Sequence, residues 1–190
     1  MDRIEYALKN LNGKILDVGF SVGELHTKLV NAFGKNVYGI DIEVKKNSKN
    51  YKKASAEKKI PFKSNYFDSI FAGELIEHLH KPKNFVKEAN RVLKKNGVII
   101  ITTPNRDSLI NRIFHNYHAP LHFSLFNFQE LKSLLEENGF KVVDYYCQPY
   151  TEENSYGSKN KWSFAFRKIL HYFLPKSLQE EMIVKSIKVE

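Results

Sequence analysis

Two acids and a pair of glycines supply the first chemistry in this chain of 190 residues. The run Lys14-Ile-Leu-Asp17-Val-Gly19-Phe20-Ser21-Val-Gly23-Glu24-Leu25 passes from an apolar strand-like stretch into a helical pattern. Its glycines permit a tight turn and let a ligand approach the backbone closely. A dinucleotide-binding turn needs G-x-G-x-x-G and a helix N-terminus open to a pyrophosphate. Here only Gly19 and Gly23 fit any such pattern, and Glu24 stands where a phosphate would dock. Asp17 adds a second carboxylate, so the turn repels a pyrophosphate and suits a ligand bearing a sulfonium and an ammonium. Nicotinamide and flavin cofactors are disfavoured on that ground. A second strand-like run ends at Asp41, 24 residues after Asp17, where an acid can accept hydrogen bonds from both hydroxyls of a ribose. Either acid alone reads as a helix cap or a surface residue. Together, at strand–turn–helix–strand spacing, they are far more specific.

These residues need a scaffold, and the apolar pattern describes one. Lys14–Val18, Val37–Asp41, Phe67–Phe71 and Val98–Thr102 read as strands, rich in Ile, Val and Phe. Leu25, Leu29, Ala32 and Phe33 recur at helical spacing and Gly34 ends that helix. Phe85, Val86, Ala89, Val92 and Leu93 form a second helical stripe, expected to stop at Asn96–Gly97. Asn127 with Glu130 is a capping-box start for a helix burying Phe128, Leu131, Leu134 and Leu135. Phe140–Tyr146 and Met182–Lys188 read as two late strands. Strands alternating with helices predict an α/β fold, a three-layer αβα sandwich on a mostly parallel sheet. In such sheets ligands bind beyond the carboxyl ends of the strands. No internal repeat breaks the pattern, so residues 1–190 read as a single domain with irregular insertions at about 105–127 and 148–178. The segment Trp162–Leu174 reads as a basic amphipathic helix, with Trp162, Phe166, Ile169 and Phe173 on one face. Packing of that face onto the domain or over a pocket is the favoured reading; peripheral membrane contact is the sharper alternative.

Composition excludes several classes. One cysteine, Cys147, rules out a disulfide framework and a cysteine-based zinc site, and no metal site is expected. The longest apolar run is far too short to span a bilayer, and a reducing cytoplasm is the default compartment. The net charge of +9 is concentrated: residues 44–63 hold eight lysines and one acid, whereas residues 128–158 hold two bases and six acids. The lysine-rich stretch is expected to carry the helix after the second strand and to lie at the sheet edge. There it would discourage edge-to-edge pairing rather than bind nucleic acid.

ILDVGFSVGEL (15–25), VYGIDIE (37–43), the stretch 54–79 with Ile60-Pro61-Phe62, Phe67-Asp68 and Glu77-His78-Leu79, RVLKKNGVIIITTPN (91–105) and HFSLFNFQELKSLLEENGF (122–140) together resemble the class I S-adenosylmethionine-dependent methyltransferases. The group resembled is the one of ubiquinone and menaquinone biosynthesis. The resemblance implies a Rossmann-like, seven-stranded sheet with a reversed last strand, and S-adenosylmethionine as cofactor, leaving as S-adenosylhomocysteine. It implies that backbone around Asp17, Gly19, Phe20 and Gly23 cradles the methionine part, that Asp41 holds the ribose and that Ile42 lies on the adenine. Ser55 and Ala56 fall at the adenine edge, and the carbonyl of Gly73 meets the amino-acid end. Ser21 and Ser55 depart from the family pattern, which usually has a glycine and an aspartate there.

Transfer from a sulfonium needs alignment and exclusion of water. An oxygen acceptor also needs its proton removed, a task suited to histidine near neutral pH. His122 is the preferred base and His118 the second candidate; His115, His78 and Glu74 are weaker ones. The expected acceptor is a small or lipid-like molecule, methylated at oxygen before nitrogen or carbon. An RNA acceptor, motivated by the lysines, and a non-catalytic cofactor-binding module, motivated by Ser21 and Ser55, are the competing readings. With the first strand beginning at Lys14, N-terminal helical cover is expected to be short, leaving the acceptor site open or completed by a second subunit.

Overall fold

The computed structural model describes residues 2–20, 24–113, 122–148 and 161–189. Among them run, in chain order, α1 (Arg3–Asn10), β1 (Ile15–Val18), α2 (Glu24–Phe33), β2 (Val37–Asp41), β3 (Tyr51–Lys53), β4 (Phe67–Gly73), α3 (Pro82–Val92), β5 (Leu93–Pro104), α4 (Leu109–Ile113), α5 (Phe128–Glu136), β6 (Phe140–Gln148), α6 (Lys161–Phe173) and β7 (Glu181–Lys188). The strands form one seven-stranded sheet in the order β3-β2-β1-β4-β5-β7-β6. β1 pairs in parallel with both β2 and β4, and β7 runs antiparallel between β5 and β6. The order reverses at β1–β4, the topological switch point where doubly wound sheets leave a crevice.

Burial explains why the central strands read as continuous apolar runs rather than alternating ones: helices cover both faces. On one face Leu16, Val18, Ile40, Ile70 and Ile99 pack with Phe85, Val86 and Ala89 of α3 and with Leu131 and Leu135 of α5. On the other, Ile15, Val37, Phe71, Ile100 and Ile183 meet Tyr6 and Ala7 of α1 and Leu29 of α2. Asn127 caps α5 as its spacing predicts, its side chain accepting from the Glu130 N–H at 3.0 Å while Glu130 accepts from the Asn127 N–H at 3.2 Å.

The structure corrects the pattern reading in several places. No helix follows β2: residues 44–63 are loop, the short edge strand β3, and loop again. A lysine- and asparagine-rich stretch has no apolar stripe to lay on the sheet, so it cannot earn a helix by burial. Its lysines do border the sheet edge, where β3 pairs only with β2. Asn96–Gly97 does not stop α3, which ends at Val92. Instead Asn96, at φ +63°, lies within β5, close to the register shift between β4 and β5 at Phe67/Ser69. An eight-residue helix, α1, precedes β1, capped by Asp2, whose side chain accepts from the Glu5 N–H. No helix of the described residues is long and apolar enough to cross a membrane.

The Asn127 side chain also donates to Asp107 at 3.0 Å, fastening the 105–127 connection to α5. Asn127→Ala is expected to lower unfolding stability by about 1–2 kcal/mol, as for other lost N-caps, measured by urea denaturation with an unchanged slope.

Candidate active site

β1 ends in a buried carboxylate. Asp17 is 3% exposed and points toward α2, where its Oδ2 lies 2.9 Å from Nδ1 of His26. The other ring nitrogen of His26 is 3.2 Å from the hydroxyl of Tyr51 on β3. Burial pushes the Asp17 carboxyl above its ordinary range, and the bond to His26 opposes that push. The Phe20 ring rests on His26, with centroids 4.5 Å apart, and covers Gly39 so closely that a Cβ there would fall 2.5 Å from Phe20 Cδ1. His26 and Tyr51 were not legible as functional positions. His26 is nine residues beyond Asp17, and only the turn into α2 folds it back.

Gly19 follows with φ +71°, and its N–H donates to the Ile40 carbonyl at 2.9 Å, tying the end of β1 to the end of β2. An added Cβ at Gly19 would sit 2.8 Å from Leu75 Cδ1. The chain therefore turns at the switch point in a conformation that favours glycine, with Leu75 packed where a side chain would project. One strand over, half-buried Asp41 accepts from the Glu43 N–H through Oδ1 at 2.8 Å, and Ile42 is 64% exposed. Ser55 is half-buried, its hydroxyl accepting from the Glu57 N–H at 3.3 Å, and Ala56 is buried beside it. Across the switch point, Gly73 ends β4, with the Phe71 ring where its Cβ would be. Gly19, Asp41, Ser55 and Gly73 thus share the carboxyl edge of the sheet. Gly23 and His118, with Ser21 and His115, lie outside the described residues.

The same edge carries a group of carboxyls that spacing did not reveal. Glu74, at φ +49°, and Glu181, at the start of β7, each place Oε1 3.6 Å from Nη1 of Arg3. Thr102 Oγ1 donates to Glu74 at 3.2 Å, and the Gln148 amide donates to Glu181. Glu181 is fully buried; desolvation and the charge of Glu74 push its carboxyl up to about 8. Burial and the charge of Glu77 push Glu74 up to about 7, against the pull of Arg3. Beside them, buried Glu77 accepts from Thr103 Oγ1 at 3.0 Å, and its carbonyl receives the N–H groups of Phe123 and Ser124.

That last contact brings His122 to the turn after β4, its ring 4.9 Å from that of His78. Burial, then the neighbouring His78, lower the pKa of His122, so it stands neutral near pH 7. Its Nδ1 and Oε1 of Glu77 are buried with no hydrogen-bond partner among the described residues. Glu77, His78 and His122 each offer a ligand atom, all within 4.8 Å of one another. Such a convergence of imidazole and carboxylate can accept a proton or hold a divalent cation, although sequence spacing gave no sign of a metal site.

A crossover at β1–β4, a left-handed glycine ending β1, an acid ending β2 and a reversed β7 define a Rossmann-like methyltransferase fold. Matching the methyltransferase-domain family over residues 1–145, the chain belongs to the class I S-adenosylmethionine-dependent methyltransferases. It is 31% identical over 160 residues to the mouse mitochondrial ubiquinone biosynthesis O-methyltransferase, covering 70% of this chain and 43% of that protein. With the Bartonella bacilliformis ubiquinone biosynthesis O-methyltransferase it shares 30% over 188 residues, 84% of this chain and 73% of that one. The chain thus spans less than half the mouse relative's length. In three dimensions it resembles a SAM-dependent methyltransferase from Archaeoglobus fulgidus, with a TM-score of 0.68 and 20% identity over 98% of this chain and 90% of that one. It also resembles a Haemonchus contortus phosphoethanolamine N-methyltransferase in complex with S-adenosyl-L-methionine, with a TM-score of 0.66 and 16% identity over 99% of this chain and 52% of that one. The left-handed turn at Gly19 and the acid ending the neighbouring strand fit the family's cofactor.

The buried carboxyls carry a pH signature. A carboxyl raised in the folded state binds its proton more tightly there than in the unfolded chain, so its stabilising contribution is full below about pH 4 and is lost as pH rises toward its folded pKa. Stability should therefore fall between about pH 5 and 8. Glu181→Gln, keeping the shape without the charge, should raise the thermal midpoint at pH 8 more than at pH 5.

Proposed function

We propose that this chain transfers a methyl group from S-adenosylmethionine to a hydroxyl of a small or lipid-like molecule. The observation that carries the cofactor half is the strap at the switch point, where Gly19 in a left-handed turn is bonded to Ile40, next to Asp41. In this reading backbone at Asp17, Gly19 and Phe20 borders the methionine part, and Asp41 accepts from the ribose. Ile42, Ser55 and Ala56 flank the adenine, and the Gly73 carbonyl receives the ammonium. When bound, the cofactor supplies a methyl already activated on a sulfonium. What remains for the protein is to fix the acceptor in line and take its proton.

His122 is the proposed base. Its neutral imidazole can take the hydroxyl proton, and the carbonyl of Glu77 holds the segment that carries it. The ubiquinone biosynthesis O-methyltransferases among the relatives support oxygen as the acceptor atom. The lysines of residues 44–63 flank the adenine side, which favours a small acceptor over RNA.

Calorimetry with S-adenosylhomocysteine tests the cofactor half. Micromolar binding is expected, weakened roughly 10- to 100-fold by Asp41→Ala, in line with loss of charge-assisted hydrogen bonds. No binding by the unaltered protein would remove the reading. For the acceptor half, S-adenosylhomocysteine release with a panel of phenolic and catecholic acceptors is measured for the parent and His122→Asn. A base contributes about 10²–10⁴-fold, so kcat should fall by that factor with cofactor affinity intact. Activity that chelator abolishes and divalent metal restores would instead assign His122 to a cation held with Glu77 and His78.

A further inference from the structure

α6 is built with its apolar side outward. Trp162 is 85% exposed, Phe166 58%, Ile169 60% and Phe173 82%. At about 100° per residue these four fall within an arc of roughly 60°. The opposite side holds Arg167 and His171, both buried. Arg167 Nε donates to the fully buried Glu180 at 3.2 Å, and His171 Nδ1 lies 4.0 Å from the other oxygen of the same carboxylate. A buried carboxylate stripped of its cation would be costly, so this clamp fixes the rotation of the helix and forces the stripe into solvent. The expectation that the apolar face packs onto the domain is overturned.

We propose that this outward face of α6 docks on an anionic lipid surface. The charge around the stripe selects the partner. Residues 154–179 hold five basic residues and no acid. Arg167 is taken up by Glu180, Lys176 is exposed although its Nζ donates to the Tyr145 carbonyl at 3.2 Å, and Lys168 is exposed on the polar side of the helix. A helix with a large apolar stripe and a basic polar side lies flat in the headgroup region, its apolar side chains inserted and its lysines reaching back toward the lipid phosphates. A second copy is the poorer occupant, because a two-fold contact would bring two positive faces together. Single-stranded nucleic acid can stack on aromatics, but it has no use for Ile169 at the centre of the stripe. Glu180 also anchors the acceptor edge: its carbonyl accepts from the Asn105 N–H at 2.7 Å and from the Asn111 side chain of α4 at 3.5 Å. Ile113 of α4 is itself 55% exposed. A docked α6 would therefore hold the carboxyl edge of the sheet near the lipid phase.

The chain's single tryptophan, Trp162, lies in the stripe and reports on it directly. The full chain is mixed with phosphatidylcholine vesicles containing none or ~30% phosphatidylglycerol, and co-sedimentation and tryptophan emission are read without any methyl transfer. Binding to the anionic vesicles with a blue shift of emission is expected, and at least about fivefold less binding to the neutral ones. Phe166→Asp with Ile169→Asp should abolish binding while leaving the thermal midpoint nearly unchanged, since both side chains are already in water. Lys168→Gln, which alters no apolar group, should weaken it by about fivefold. Absence of sedimentation and of any emission shift with anionic vesicles overturns the proposal. So does a blue shift that grows with protein concentration alone, alongside dimers in ultracentrifugation. Tight binding of a single-stranded RNA without vesicle binding overturns it as well.

Discussion

β1 is buried on both faces and still has to end in a polar site, and the carboxyl edge of this protein is organised around that constraint. Asp17 is the next-to-last residue of a strand that water does not reach, so its carboxyl must find a partner inside. His26 supplies it, Tyr51 extends it, and Phe20 closes over both, so α2, β3 and the start of the glycine turn are held to one another through a single buried acid. The bond from Gly19 to Ile40 then carries the constraint to the next strand. Asp41 can present a carboxylate at the surface because the strand beneath it is pinned.

On the acceptor side the same problem has a different solution. Glu74, Glu77 and Glu181 crowd the ends of β4 and β7, with Arg3 close to two of them, and raised pKa values let them keep protons where the unfolded chain would release them. Neutral carboxyls can donate hydrogen bonds and avoid mutual repulsion. α1 is short, yet it brings Arg3 over this group, so the N-terminal helix matters electrostatically as well as for the area it covers. His122 reaches the neighbouring turn because the carbonyl of Glu77 receives two successive N–H groups from the 122–127 segment.

α6 shows how a buried ion pair can override hydrophobic patterning. Its apolar stripe alone would turn inward, as the exposed area would otherwise go unburied. Arg167 and His171 meeting Glu180 reverse that orientation, since a desolvated carboxylate is worse to leave alone than a strip of hydrocarbon in water.

Much of the fold was legible in the sequence because strands and helices here obey their own periods. Six of the seven strands, the helices at 24–33 and 82–92 and the Asn127 capping box follow from local apolar spacing and turn chemistry. The places of Gly19 and Asp41 at strand ends were legible for the same reason, whereas Gly73 came only with the family resemblance. β3 was not named among the strands, because Tyr51–Lys53 is short and polar and is a strand only by pairing with β2. The partner of Asp17, the carboxyl group around Glu181 and the outward turn of α6 joined residues 9, 107 and 13 positions apart, namely Asp17–His26, Glu74–Glu181 and Arg167–Glu180. Local sequence thus determined most of the strands and helices and where the glycine turn falls. Tertiary structure alone decided which charges are buried together and which face each helix shows to water, because desolvation depends on what the whole chain packs around a group rather than on its neighbours in sequence.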